Sequence, residues 1–135
     1  MKENEFRVYD HHSRMYPPEQ HKFFVSTDGT LIFMKNKRDI MVCDPDRYTI
    51  EWYTGHQDTQ YHVSRGPIYE RDVLGEYCGD EEQRCGHVEY DDAIQDFVIH
   101  KENGGWERLH EYLVKNHVGA IRTTHDEARY AESNK

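Results

Sequence analysis

A mainly β protein is expected from three features of the chain. Large side chains are plentiful, with 10 Tyr, 5 Phe and 2 Trp in 135 residues, and aromatic and β-branched residues suit a pleated, half-buried surface. Short apolar runs recur at close intervals between turn residues. Asp28-Gly29 sits between two such runs, and an Asp-Gly pair accepts the positive φ angles of a tight hairpin turn. A chain of this length buries roughly two-thirds of its unfolded surface, so it folds without a covalent staple.

The elements follow in order. Glu5-Phe6-Arg7-Val8-Tyr9 alternates polar and apolar residues, as a half-buried strand does. Met15-Tyr16-Pro17-Pro18 cannot continue a helix and reads as a connection. Phe23-Phe24-Val25-Ser26-Thr27 and Thr30-Leu31-Ile32-Phe33-Met34 form the arms of a hairpin around Asp28-Gly29, with a type I′ turn expected. A strand over 39–43 closes at Asp44-Pro45-Asp46, and another over 48–53 ends at Gly55. Residues 56–67 are polar and read as a long loop, so the first subdomain spans about 5–55 and the linker 56–67.

The second subdomain, about 68–123, is expected to carry strands at 72–78, 85–90, 95–100 and 106–109, a helical turn near 110–113, and a last strand at 118–123. Five short strands with one helical turn before the last give the order of an SH3-like β-barrel, whose closure removes strand edges. The tail, 124–135, permits a helix but has little to bury, and is expected to fray.

Composition narrows the function classes. Net charge is −9, from 26 acidic against 17 basic residues, which disfavours polyphosphate partners. Local basic clusters at Lys35, Lys37 and Arg38, or at Arg108, Lys115 and Arg122, keep a nucleic-acid-binding barrel as the alternative. The N-terminus is charged, no apolar run approaches a bilayer span of ~20 residues, and three cysteines do not pair into a secreted framework. A cytoplasmic protein without membrane contact is therefore expected.

No catalytic constellation is legible. The acidic groups Asp44/Asp46, Asp80/Glu81/Glu82 and Asp91/Asp92 all fall at expected turns, where Asp supplies turn hydrogen bonds. Ten histidines are a compositional oddity. Zinc sites favour tightly spaced Cys and His pairs. The nearest approach, Cys78 and Cys85 with His87 and a ligand imported from Cys43, has too long a spacing, so no metal or cofactor is assigned and the thiols read as small apolar groups. Tyr69, Tyr77, Tyr90, Trp106 and Tyr112 are aromatic residues of the barrel half that serve either its core or a shallow partner groove.

The pattern resembles the YopX family of phage and prophage proteins. The likeness runs over about 5–128 and rests on Phe6-Arg7-Val8-Tyr9-Asp10, Met15-Tyr16, Tyr53-Thr54-Gly55 with Asp58, and Ile68-Tyr69-Glu70 with Asp72-Val73. It continues through Gly86-His87-Val88-Glu89-Tyr90 and Val118-Gly119-Ala120-Ile121. The resemblance marks Tyr53, Thr54, Gly55, Asp58, Ile68, Tyr69, Glu70, Asp72, Val73 and Gly119 as signature positions of structural rather than catalytic kind. Arg71 stands where the family has Gly, so the turn cannot need positive φ there without strain. The linker is longer than the family's, and Ala120 replaces Asn. The resemblance implies a non-enzymatic prophage accessory protein, a homo-oligomer that acts through contacts with host or phage proteins.

Overall fold

The computed structural model describes residues 5–59, 66–78 and 81–133. It is mainly β, with eleven strands and two α-helices among these residues. The chain divides into two compact units, Met1–Trp52 and Tyr53–Lys135, so the boundary falls within a strand, slightly before the expected linker.

In the first unit, β1 (Phe6–Asp10) runs antiparallel to the first half of β5 (Tyr48–Gln57), from Phe6 opposite Trp52 to Asp10 opposite Tyr48. Three further strands, β2 (Phe23–Val25), β3 (Leu31–Asn36) and β4 (Asp39–Val42), form an antiparallel meander. One face of the meander meets the core: Val8, Phe23, Leu31 and Cys43 are buried, with Phe6, Val25, Phe33, Tyr48 and Ile50 packed on them. The Phe23 ring lies 5.0 Å from Phe33 and 5.8 Å from Tyr48.

The β2–β3 turn differs from the type I′ expectation. Of Asp28 and Gly29 only Gly29 has positive φ, at +87°, and Ser26 closes the loop by donating its N–H to Thr30 at 2.9 Å. The Asp28 carboxylate accepts the Thr30 N–H at 3.0 Å. Local side-chain bonds thus select a longer turn with a single left-handed residue.

Side chains also fix the 10–20 connection. Asp10 takes both arms of the Arg47 guanidinium at 3.0 Å each and the His12 N–H at 2.9 Å. The Arg47 partner holds the Asp10 carboxyl well below the usual carboxylate range. The Gln20 amide bonds both Val8 N–H (2.8 Å) and Val8 C=O (3.0 Å), occupying backbone groups that an edge strand otherwise leaves open. Glu51 is buried, and accepts from Arg7 at 2.9 Å and from the Tyr16 hydroxyl at 2.7 Å.

In the second unit, the rest of β5 pairs with β6 (Pro67–Tyr69). The strands β7 (Asp72–Cys78), β8 (Glu81–Asp91), β9 (Asp96–Lys101), β10 (Trp106–Arg108) and β11 (Gly119–Thr123) make one antiparallel sheet in the order β10-β9-β8-β7-β11. α1 (Leu109–Lys115) links its two edges. The core comprises Ile68, Leu74, Val88, Ile99, Leu109, Tyr112, Leu113 and Val118. Gly86 is required by close approach, since a Cβ there would lie 2.4 Å from the His100 carbonyl oxygen. The expected barrel closure is not seen: no ladder joins β10 to β11 among the described residues, so the sheet is open at those edges.

The tail departs from expectation. Residues Thr124–Ser133 form α2, although none of its side chains is buried. Thr123 and Asp126 cap it reciprocally: the Asp126 carboxylate accepts the Thr123 N–H at 2.9 Å, and Thr123 Oγ1 accepts the Asp126 N–H at 3.2 Å. Glu127 then takes two bonds from Arg84 of β8 (2.8 and 2.9 Å) and one from Arg122 of β11 (3.1 Å).

Candidate functional site

The signature residues work as fasteners of the second unit. Thr54 donates its hydroxyl to the Ile68 carbonyl at 2.8 Å and accepts the His56 N–H at 3.2 Å, bracketing Gly55, which has φ +84°. The Tyr53 and Tyr69 rings lie 5.7 Å apart across the β5–β6 pair. Asp58 is buried and accepts the Ala120 N–H at 3.0 Å, while its own N–H reaches the Gly66 carbonyl at 2.9 Å. Burial pushes the Asp58 carboxyl up, against the pull of the Ala120 and Gly66 backbone N–H groups. Ile68 and Val73 are fully buried, and Gly119 pairs with Gly75. Asp72 accepts the Tyr69 N–H at 2.8 Å and closes the turn that contains Glu70 and Arg71. These bonds set strand register.

Arg71 takes the strained conformation. Its φ is +73°, so the turn does need the left-handed region, and Arg occupies it at a steric cost. The backbone explains why: Arg71 N–H donates to the Val88 carbonyl at 2.9 Å, and its carbonyl accepts the Thr124 N–H at 2.8 Å.

The five aromatic residues considered for a groove are not brought together. Tyr69 and Tyr112 are buried and serve the core. Tyr77 pairs with Glu82 near the start of β8, whereas Tyr90 lies near its end; eight residues of strand separate these positions by about 27 Å. Trp106 is half-exposed at the start of β10, and Tyr90 packs edge-on against Phe97 at 5.2 Å.

Of the two basic clusters, one is neutralised. Arg108 pairs with Asp96 at 2.9 Å, Lys115 with Glu107, and Arg122 with Glu82 and Glu127. Lys35, Lys37 and Arg38 lie exposed around the β3–β4 turn. Cys43 is buried in the first unit's core, and Cys85 is half-buried in the second, its thiol 3.6 Å from a Glu76 carboxylate oxygen. Burial raises both thiols above the ordinary range, which makes them poor nucleophiles. The side chain of Cys78, together with Asp80 and His62, lies outside the described residues.

Two surface features were not assigned from the sequence. The first is the outer face of the β2–β3–β4 meander. Phe24 pairs with Ile32, Ile32 with Val42, and Met34 with Ile40, so all five side chains share the face opposite the core. Phe24, Ile40 and Val42 are 37%, 56% and 72% exposed. Beside this face, β4 is a sheet edge. Cys43 N–H bonds the Leu31 carbonyl at 2.9 Å, and antiparallel alternation then turns the N–H and C=O groups of Ile40 and Val42 outward. The signal was present in the sequence, since 23–25, 31–34 and 40–42 are apolar without alternation.

The second is a trio on the β8–β9 ladder. His87 and His100 are directly opposite, with rings 5.1 Å apart and nearly parallel. Glu89 follows two residues after His87 on the same face, and its two oxygens lie 3.3 Å from His87 Nε2 and 3.3 Å from His100 Nε2. No helix among the described residues is long and apolar enough to cross a membrane. Comparison with models of protein families, with curated proteins and with solved structures returns no match.

Proposed function

We propose that this chain is a non-enzymatic interaction protein that self-assembles, in the manner of a YopX-type prophage accessory protein with an SH3-like second unit. The outer face of the β2–β3–β4 meander carries the reading. Five apolar side chains on one sheet face, beside an edge with outward-turned backbone groups, are what an association surface requires. The strand order of the second unit supports the SH3-like likeness, and the fastener role of the signature residues supports a scaffold rather than a catalyst.

The partner is a second copy, added at the β4 edge so that the two apolar faces run on side by side. Two β4 strands paired antiparallel about Met41 place Ile40 opposite Val42, and they bring Arg38 level with Asp44, so opposite charges meet at both ends. Met41 then faces its counterpart at a site without backbone bonds, where Cα atoms approach to about 4.5 Å, within reach of a disulfide. Met41→Cys is therefore expected to cross-link into covalent dimers under mild oxidation, with the native Cys43 retained in both the variant and the wild-type control. Failure of Met41→Cys to exceed wild type in dimer yield counts against this pairing.

A further inference from the structure

We propose that His87, Glu89 and His100 form a binding site for a divalent transition-metal ion on the outer surface of the β8–β9 ladder. The site is independent of the self-association surface.

Three features point to it. First, the donor atoms of the three side chains all lie within 4.8 Å of one another, on residues that are half-buried and so partly fixed. Second, one carboxylate serves both rings: Glu89 Oε1 lies 3.3 Å from His87 Nε2 and Glu89 Oε2 lies 3.3 Å from His100 Nε2, longer than the roughly 2.9–3.0 Å usual for an N–H···O hydrogen bond. Third, the ladder positions the set without help from loops. Direct pairing aligns the two imidazoles, and the period of the strand puts Glu89 beside them.

The donor chemistry selects the ion class. Two imidazoles and one carboxylate suit Zn²⁺ and its neighbours such as Co²⁺ and Ni²⁺, whereas Mg²⁺ and Ca²⁺ prefer all-oxygen shells. Three protein ligands leave a coordination position for water or for a group from a partner. In the same cross-strand row, Val73 pairs with His87 and Trp106 with His100. The row thus places an apolar residue on either side of the two histidines, and a surrounding apolar shell limits competing water.

The test is titration of the full chain with Zn²⁺, followed by calorimetry and by imidazole ¹H–¹⁵N correlation spectra. One equivalent is expected to bind, with the largest shifts at His87 and His100. His100→Ala is expected to weaken binding about tenfold or more. Equal binding by wild type and by a His87→Ala/His100→Ala double variant overturns the site. So do shifts confined to other histidines, such as His11 and His12, a readout that needs no variant to fold. Absence of any binding overturns it as well.

Discussion

Arg71 is the position at which residue-scale physics is most exposed. A left-handed backbone costs an ordinary residue roughly 1–2 kcal/mol, and glycine avoids that cost while loosening the unfolded chain by somewhat less. Arg71→Gly is therefore expected to stabilise the protein by about 0.5–1 kcal/mol, read as a raised midpoint in urea, whereas Arg71→Ala leaves it unchanged. A loss of stability in the glycine variant contradicts a strained turn. The resemblance made this residue conspicuous, but the sign of its φ depended on the Asp72 carboxylate and on the Val88 carbonyl, 17 residues later in the chain. The turn at Asp28-Gly29 shows the same limit. The dipeptide announced a hairpin, and the neighbouring Ser26 and Thr30 decided which kind.

At the scale of elements, α2 shows that burial is not the only thing that orders a tail. A ten-residue helix is marginal alone in water. This one is held by the Thr123–Asp126 cap and by Glu127 on Arg84 and Arg122. Glu127→Ala is expected to cost about 0.5–1 kcal/mol, given the partial exposure of these groups. Faster amide exchange should be confined to 124–133, leaving β7–β9 protected. Uniformly faster exchange would mean that α2 is not an independent element. The cap was readable, as Thr followed three residues later by Asp, though the Arg84 contact came from a strand about 40 residues earlier. Most strands of the second unit were legible because turns and apolar runs alternate there, but β8 begins at Glu81, four residues before the expected start, so Glu81 and Glu82 lie in the strand and not in the acidic turn expected for them. The His87–His100 pairing was not legible, because it depends on a register set by the turn over 92–95.

Across the whole molecule, the sequence marks apolar stretches but does not say which of their faces another element covers. Residues 23–25, 31–34 and 40–42 are apolar on both sides. In the first unit β1 and β5 contribute Phe6, Val8, Tyr48 and Ile50 to the core on one side of the meander, leaving the exposed face of Phe24, Ile32, Met34, Ile40 and Val42 on the other. A net charge of −9 keeps such a chain in solution, and it also opposes close approach of two copies unless apolar burial outweighs the repulsion. Self-association should therefore strengthen with salt, which screens the repulsion. The direct test is sedimentation equilibrium of wild type and Val42→Asp over a wide concentration range. The account predicts a concentration-dependent dimer or larger assembly for wild type and a folded monomer for Val42→Asp. Wild type that stays monomeric throughout, or a variant that associates equally well, contradicts it.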